Sequence, residues 1–232
     1  MLFRSADRRV SSLVLGEDAR RLYFWKPAGI PVFPPHADPA GDCLLARVLT
    51  VYPDRADGFP PGFEAGIAHR LDTATSGLVI AARMPTDLEP LRTEFSERRL
   101  RKHYLFRSDD TISFDRVVTV ALAHHPKRKD RMVWERGART AHRGRWYPAW
   151  TRLVALGGGW WRAEIRTGVT HQVRAHAACA GIPLDGDPIY GGAPRPFVLH
   201  HAGVVGPGWV SPVAPLPEGI GGPDVVVRPE SW

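Results

Sequence analysis

Short runs of β-branched and aromatic residues recur along the chain, and most are bounded by Gly, Pro or Asp. Such runs between turn-forming residues are typical of β-strands. They predict six strands, at Arg21–Trp25, Gly77–Arg83, His103–Arg107, Val117–Ala123, Trp150–Ala155 and Trp160–Thr167.

Helical periodicity is rarer and predicts three helices, at Leu44–Tyr52, Thr86–Leu100 and Thr170–Ala180. The third begins at Thr170, a residue type that often caps a helix, and ends before Gly181. Many short strands with irregularly placed helices favour an α+β fold with a mixed or antiparallel sheet over regular βαβ winding. No internal repeat or low-complexity linker is found, so we expect one domain over residues 1–232.

The composition is that of a globular protein, with 44% hydrophobic residues among 232. Cys43 and Cys179 are the only cysteines, which indicates a reducing compartment rather than a disulfide framework. No apolar run approaches the ~20 residues of a membrane span. The charged N-terminus does not fit a signal peptide. We therefore expect a cytoplasmic protein without a membrane partner.

Positive charge is concentrated in one part of the chain. The formal net charge is +7, and the segment Arg98–Arg145 has 14 basic residues against five acidic ones. The rest of the chain has 17 basic and 19 acidic residues. This distribution predicts a surface that binds a polyanion, although a solvated basic face without a partner would give the same pattern. The candidate contacts are Lys127, Arg128, Lys129 and Arg131.

The polar stretch HRLDTATSG runs into the strand-like GLVIAAR and carries Asp72 near the entrance to a strand. An aspartate next to an arginine usually forms a structural ion pair or caps a turn. An Asp carboxylate is also a competent nucleophile at an anomeric carbon. In that role it must stay ionised when a substrate covers it, which requires a nearby cation.

A second polar stretch, GVTHQVRAH, places Arg174 in the first turn of the third predicted helix. Backbone N–H groups and a guanidinium converge there, an arrangement that attracts a phosphate or a carboxylate. Two other interpretations are an ordinary surface helix start and a metal pair of His171 and His176. Their i,i+5 spacing does not align these histidines on one helix face.

Five segments resemble, in order, motifs of the RluA family of pseudouridine synthases. HRLDTATSGLVIAAR is similar to the family's signature loop, whose Asp is catalytic, and TGVTHQVRAH is similar to TGRTHQIRVH, whose Arg partners that Asp. The others are Lys26-Pro-Ala-Gly, similar to the family's KPAG loop, Arg101-Lys-His-Tyr104, similar to its KxY strand, and Gly186-Asp-Pro-Ile-Tyr-Gly191, similar to its GDPxYG turn. The resemblance covers about Trp25–Ala202.

This resemblance implies a pseudouridine synthase fold, an extended mixed, mostly antiparallel sheet with flanking helices and a central cleft. It implies isomerisation of uridine in transfer or ribosomal RNA, without metal, cofactor or DNA, by a monomer. Asp72 would be the nucleophile or a proton-transfer group, and Arg174 its partner. Tyr104 would pack on the uracil and could help to remove the C5 proton. Arg70 would fill the space of a flipped base. The other expected substrate contacts are His69, Leu71, Lys102, Thr170, His171 and Gln172.

Two departures from the family pattern bear on RNA binding. Val169 stands where the family usually has Arg, and the 24 residues before Trp25 leave no room for an S4-like RNA-binding module. Substrate selection is then expected from the catalytic domain and its basic segment. Two alternatives are a non-catalytic RNA-binding protein of the same fold and a metal-dependent hydrolase. The histidines, however, lack a known ligand spacing.

Overall fold

The computed structural model describes residues 13–108 and 114–223. These residues form three α-helices and twelve strands. In chain order the elements are β1 (Val14–Glu17), β2 (Arg21–Lys26), α1 (Leu44–Val51), β3 (Ser76–Ala82), α2 (Pro85–Ser96), β4 (Arg101–Arg107), β5 (Arg116–Val118), β6 (Leu122–His124), β7 (Met132–Trp134), β8 (Arg143–Tyr147), β9 (Thr151–Gly157), β10 (Trp160–Ile165), α3 (Gln172–Cys179), β11 (Leu199–Gly206) and β12 (Trp209–Val210).

The chain divides into two compact units, and each is described by itself. Among the described residues, the first contains residues 13–99 and His201–Ile220, and the second contains residues 100–108, 114–200 and 221–223.

The sheet of the first unit is built around β3. β1 pairs antiparallel with β2, and β2 pairs antiparallel with β3. β11 lies on the other side of β3 and pairs with β12. All seven residues of β3 are buried, as expected for a strand whose faces are both covered. This strand is the support for the polar loop that precedes it.

Both helices of the first unit begin with side-chain contacts to the backbone. The Cys43 sulfur accepts the Ala46 N–H before α1, and Asp87 accepts the Met84 N–H before α2. Leu44 and Val48 of α1 are fully buried. Apolar side chains therefore anchor α1 to the core.

The second unit has two sheets. One has the strand order β4-β10-β9-β5, and the other has β6 between β7 and β8, with antiparallel pairing throughout. A buried cluster connects the smaller sheet to α3. Its members are Leu122, Met132, Ala149, Ala175 and Tyr190.

The predicted α+β class is confirmed, and five of the six predicted strands are present with bounds shifted by one or two residues. The prediction of a single strand at Val117–Ala123 is wrong. β5 pairs with β9, whereas β6 pairs with β7 and β8, so the chain changes sheets between Val118 and Leu122. The prediction of one catalytic domain stays a prediction.

The predicted helix bounds also need correction. The second helix ends at Ser96, before Arg98 adopts a positive φ of 58°. The third begins at Gln172, and its N-cap is His171 rather than Thr170. No helix in residues 13–108 and 114–223 is long and apolar enough to cross a membrane.

Candidate active site

The loop before β3 carries Asp72 in the first unit. Asp72 is half-buried, Arg70 is exposed, and Leu71 between them is buried. The Thr75 N–H donates to the Asp72 carbonyl at 2.9 Å and closes a turn directly after the aspartate. The loop thus holds Asp72 at the surface while the Leu71 side chain anchors it to the core.

His69 connects this loop to β3 through its ring. Its Nε2 accepts the Ile80 N–H at 3.0 Å, so the neutral ring carries its proton on Nδ1. The ring lies 4.9 Å from the Phe95 ring and 5.7 Å from the His201 ring, measured between centroids. These contacts give His69 a structural function beside its predicted contact with substrate.

A buried lysine holds the other side of the loop. The Lys26 ammonium donates to the carbonyls of Pro27 at 2.8 Å, Ile30 at 2.7 Å and Thr73 at 3.2 Å. Burial lowers the pKa of Lys26 to about 8, and the nearby charge of Asp72 partly offsets that effect. Lys26 therefore ties the KPAG segment to the residue after Asp72, and its charge interacts with that of Asp72.

Gly77 fixes the exit of the loop into β3. Its φ is +114°, and a Cβ at this position would overlap the backbone carbonyl of His201. His201 in turn lies 2.6 Å from the Leu78 carbonyl through its Nδ1. Only glycine permits this close approach of the two backbones.

In the second unit, β4 carries Lys102 and Tyr104. Both are buried, and because side chains alternate along a strand they lie on the same face of β4. Burial lowers the pKa of Lys102 to about 8. Its ammonium nitrogen lies 3.4 Å from where a Cβ on Gly168 would stand. β4 therefore brings Lys102 close to the TGVTHQ segment, with Tyr104 on the same face of the strand.

Arg174 lies in the first turn of α3, and its side chain is buried. Its Nε and Nη2 each donate to the Asp187 carboxylate at 2.7 Å, and its Nη1 lies 3.1 Å from the His171 Nε2. Burial opposes the charge of Asp187, but hydrogen bonds from Arg174 and two backbone N–H groups outweigh it and lower the pKa of that carboxyl. The predicted pairing of Arg174 with Asp72 stays a prediction.

His171 and Tyr190 extend this arrangement. The Tyr190 hydroxyl accepts the Met132 N–H at 2.8 Å and lies 3.2 Å from the His171 Nδ1. Burial raises the pKa of Tyr190 to about 12, so its hydroxyl stays protonated near neutral pH. Neither Asp187 nor Tyr190 was among the predicted site residues, although both belong to the GDPxYG motif noted in the sequence.

Gln172 and Thr170 differ in their surroundings. The Gln172 amide accepts hydrogen bonds from the Thr167 hydroxyl and the Val169 N–H, and donates to the Trp150 carbonyl and the Thr151 hydroxyl. These four bonds fill its capacity and disfavour the predicted contact with substrate. Thr170 is exposed. Its contact with substrate stays a prediction.

The predicted RNA contacts lie in the basic loop, which we define as residues 125–131. Lys127, Arg128 and Lys129 are exposed, and Arg128 forms two hydrogen bonds with Asp130 at 3.1 and 2.8 Å. Arg131 is half-buried, with its guanidinium 5.6 Å from the centre of the Tyr190 ring. The loop therefore presents three exposed cations, while Arg131 lies against a residue of the Arg174 network.

Within the described ranges, no three His, Cys, Asp or Glu side chains are grouped so that they could hold a metal ion. His176 is buried between the Thr151 hydroxyl at 2.8 Å and the Val120 carbonyl at 3.0 Å. Burial lowers the pKa of His176. This histidine is a neutral core residue rather than the partner of His171 in a metal pair.

Comparison with known proteins identifies the family. Residues 22–179 match the RNA pseudouridylate synthase family, and this chain belongs to it. The matched range contains four of the five motifs. The chain is 32% identical over 179 residues to ribosomal large subunit pseudouridine synthase D of Nitrosomonas europaea, covering 77% of this chain and 49% of that protein. It is 35% identical over 213 residues to an uncharacterised RNA pseudouridine synthase of Chloroflexus aurantiacus, covering 83% and 62%.

The fold also matches a solved structure. Human RNA pseudouridylate synthase domain containing 1 superimposes with a TM-score of 0.69 at 22% identity, covering 95% of this chain and 88% of that one. The chain spans about half the length of several curated relatives that it matches.

Proposed function

We propose that this chain is an RNA pseudouridine synthase that converts selected uridines of a folded RNA to pseudouridine. In this reaction the C1′–N1 bond of uridine breaks, the uracil turns while it stays bound, and C1′ joins C5. N1 gains a proton and C5 loses one, so the reaction needs no electron acceptor and no group donor. Family membership and the supported Asp72 loop are the grounds for this proposal.

The observation that carries the proposal is the position of Asp72. Asp72 is half-buried in a loop that three contacts fix. Leu71 is buried, Lys26 binds the Thr73 carbonyl, and Gly77 packs against the His201 backbone. The charge of the buried Lys26 ammonium also interacts with that of Asp72. A carboxylate that is fixed in a half-buried position is suited to attack at C1′ or to proton transfer in glycosidic chemistry.

The remaining roles follow from the resemblance. Arg174 would pair with Asp72 and keep it charged, and the Tyr104 ring would pack on the uracil. Arg70 is exposed next to Asp72 and would enter the space of a flipped base. Such flipping costs a few kcal/mol of stacking.

Ribosomal RNA is the substrate class that we favour. Several relatives are named ribosomal large subunit pseudouridine synthase D, among them those of Nitrosomonas europaea and Escherichia coli. The cations of the basic loop would contact phosphates outside the reaction centre.

The proposal can be tested with 5-tritiated RNA from a strain that lacks the gene. The purified protein should release tritium from large-subunit ribosomal RNA, and RNA from the parent strain, already modified, serves as the control and should release little. Tritium release from transfer RNA alone would indicate that transfer RNA, and not ribosomal RNA, is the substrate. No release from either RNA would contradict it.

A further inference from the structure

Four polar side chains at the start of α3 form one continuous chain of hydrogen bonds. Asp187 accepts two bonds from Arg174, Arg174 reaches His171, and His171 reaches the Tyr190 hydroxyl. Arg174 and Asp187 are both buried. The motif resemblance makes Arg174 the partner of Asp72 and His171 a substrate contact, and it assigns no function to Asp187 or Tyr190.

The direction of each bond follows from chemistry. A guanidinium can only donate, so the His171 Nε2 must accept from Arg174 and the ring proton must lie on Nδ1. That proton points at the Tyr190 oxygen, which already accepts the Met132 N–H. His171 is therefore a neutral acceptor, because a second ring proton would face the N–H of Arg174.

The Asp187 carboxylate is held by the backbone of its own turn and binds two nitrogens of Arg174. Besides the two bonds from Arg174, it accepts the backbone N–H groups of Ile189 at 2.9 Å and Tyr190 at 3.1 Å. Two parallel N–H···O bonds fix both the position and the plane of a guanidinium. The preceding Gly186 has a φ of +67°, and its backbone is packed so closely against the 195–197 segment that a Cβ would overlap it. The carboxylate is thus presented by a rigid turn.

His171 has a backbone conformation that is uncommon for residues other than glycine. Its φ is 54°, in the left-handed region, where Asn, Asp and His are the most frequent of the non-glycine residues. Such conformations persist only where the surroundings enforce them, and they are concentrated at functional sites. Here the hydrogen bonds to Arg174 and Tyr190 hold the ring in place. The residue with this backbone conformation is thus the one that contacts the Arg174 Nη1, the guanidinium nitrogen that does not bind Asp187.

We infer that Asp187 and His171 are positioning residues, which fix the guanidinium of Arg174 in the orientation required for pseudouridine formation. The inference rests on the proposed function, because it gives Arg174 a part in that reaction. Neither residue needs to touch the RNA for this function, which for His171 is an alternative to the substrate contact expected from the sequence. Their contribution therefore belongs to the rate of the bound complex and not to RNA affinity.

A double-mutant cycle separates positioning from general damage. Asp187→Asn keeps the size of the side chain but turns an N–H group towards the guanidinium. Misplacement of a reacting group by ~1 Å can cost ~100-fold in rate, so kcat should fall ~10- to 100-fold with little change in KM. In an Arg174→Lys background, the same change should have little further effect. Equal losses in both backgrounds would overturn the inference.

Asp185→Asn is the matched control for this measurement. Asp185 lies in the same turn and is buried, and within the described residues its carboxylate accepts no hydrogen bond and pairs with Arg195 at 3.8 Å rather than with Arg174. The same chemical change there should leave kcat unchanged. A similar fall in both variants would overturn the inference, since it would reveal disruption of the whole turn.

His171→Asn gives a second route if Asp187→Asn fails to fold. Asn tolerates the left-handed conformation, so the melting temperature should hold while the acceptor for Arg174 is lost. A lower kcat at unchanged KM supports the inference, and a wild-type kcat overturns it. A wild-type rate for Arg174→Lys would overturn it as well, yet would leave the proposed function standing as long as Asp72→Asn is inactive.

Discussion

Gly77 provides a sharp test of how the Asp72 loop is held. Its φ of +114° is rarely adopted by residues with a side chain. An alanine Cβ would overlap the His201 carbonyl oxygen and lie 2.7 Å from the His201 nitrogen. Because both contacts are to backbone, no side chain can rotate away to relieve them.

The expected loss of stability has two parts. A residue held in a disfavoured backbone region costs about 1–3 kcal/mol, and overpacking typically adds about 1–3 kcal/mol. Gly77→Ala should therefore lower the free energy of unfolding by about 2–6 kcal/mol, out of a total that is usually about 5–15 kcal/mol. At about 2–4 °C per kcal/mol for a chain of this size, the melting temperature should fall by at least about 4 °C.

The assay is urea and thermal unfolding of Gly77→Ala beside Gly137→Ala. Gly137 also has a positive φ, +131°, but nothing lies within 4 Å of its added Cβ. Gly137→Ala should therefore lower the free energy of unfolding only through its disfavoured backbone conformation, without the overpacking contribution. Equal destabilisation by the two variants would refute the close approach of Gly77 to His201.

Three further predictions concern charge and the uracil contact. If the Tyr104 ring only stacks, Tyr104→Phe should keep nearly full tritium release while Tyr104→Ala loses both affinity and rate; wild-type behaviour of both would remove Tyr104 from the site. Neutralising the four cations of the basic loop should flatten the plot of log K against log salt, by about 0.7–0.9 for each phosphate that the loop no longer neutralises; an unchanged slope would make the loop a solvated face. Burial lowers the pKa of Lys26 to about 8 in the folded protein, whereas a lysine in the unfolded chain has a pKa of about 10.4. Between about pH 8 and 10 the unfolded chain therefore binds more protons than the folded protein. The contribution of Lys26 to the free energy of unfolding should then increase as the pH rises through this range. Lys26→Met should lack this rise, and a stability difference from wild type that does not vary with pH would contradict it.

The sequence predicted those features of the site that depend on local pattern. The change from polar HRLDTATSG to apolar GLVIAA placed Asp72 in a loop that enters a strand, and β3 begins at Ser76. The TGVTHQ segment likewise placed Arg174 in the first turn of a helix. In both cases the signal lies within a dozen consecutive residues.

Features that depend on distant partners could not be predicted. Arg174 binds Asp187 because a turn 13 residues away returns to α3, and no local pattern encodes that return. Lys26 is held by backbone carbonyls, which every residue carries and no composition reveals. The chain also changes sheets near Thr119 inside one apolar run, because pairing partners and not β-propensity decide where a strand ends.

Tritium release by Asp72→Asn from 5-tritiated RNA tests the central claim most directly. The substitution keeps the size of the side chain and removes the carboxylate from a half-buried position. Release should fall to the level of a protein-free blank while the melting temperature stays close to that of the wild type. Asp54→Asn, which changes an exposed carboxylate in the same unit, should release tritium at the wild-type rate. Robust turnover by folded Asp72→Asn would contradict the assignment of the catalytic aspartate.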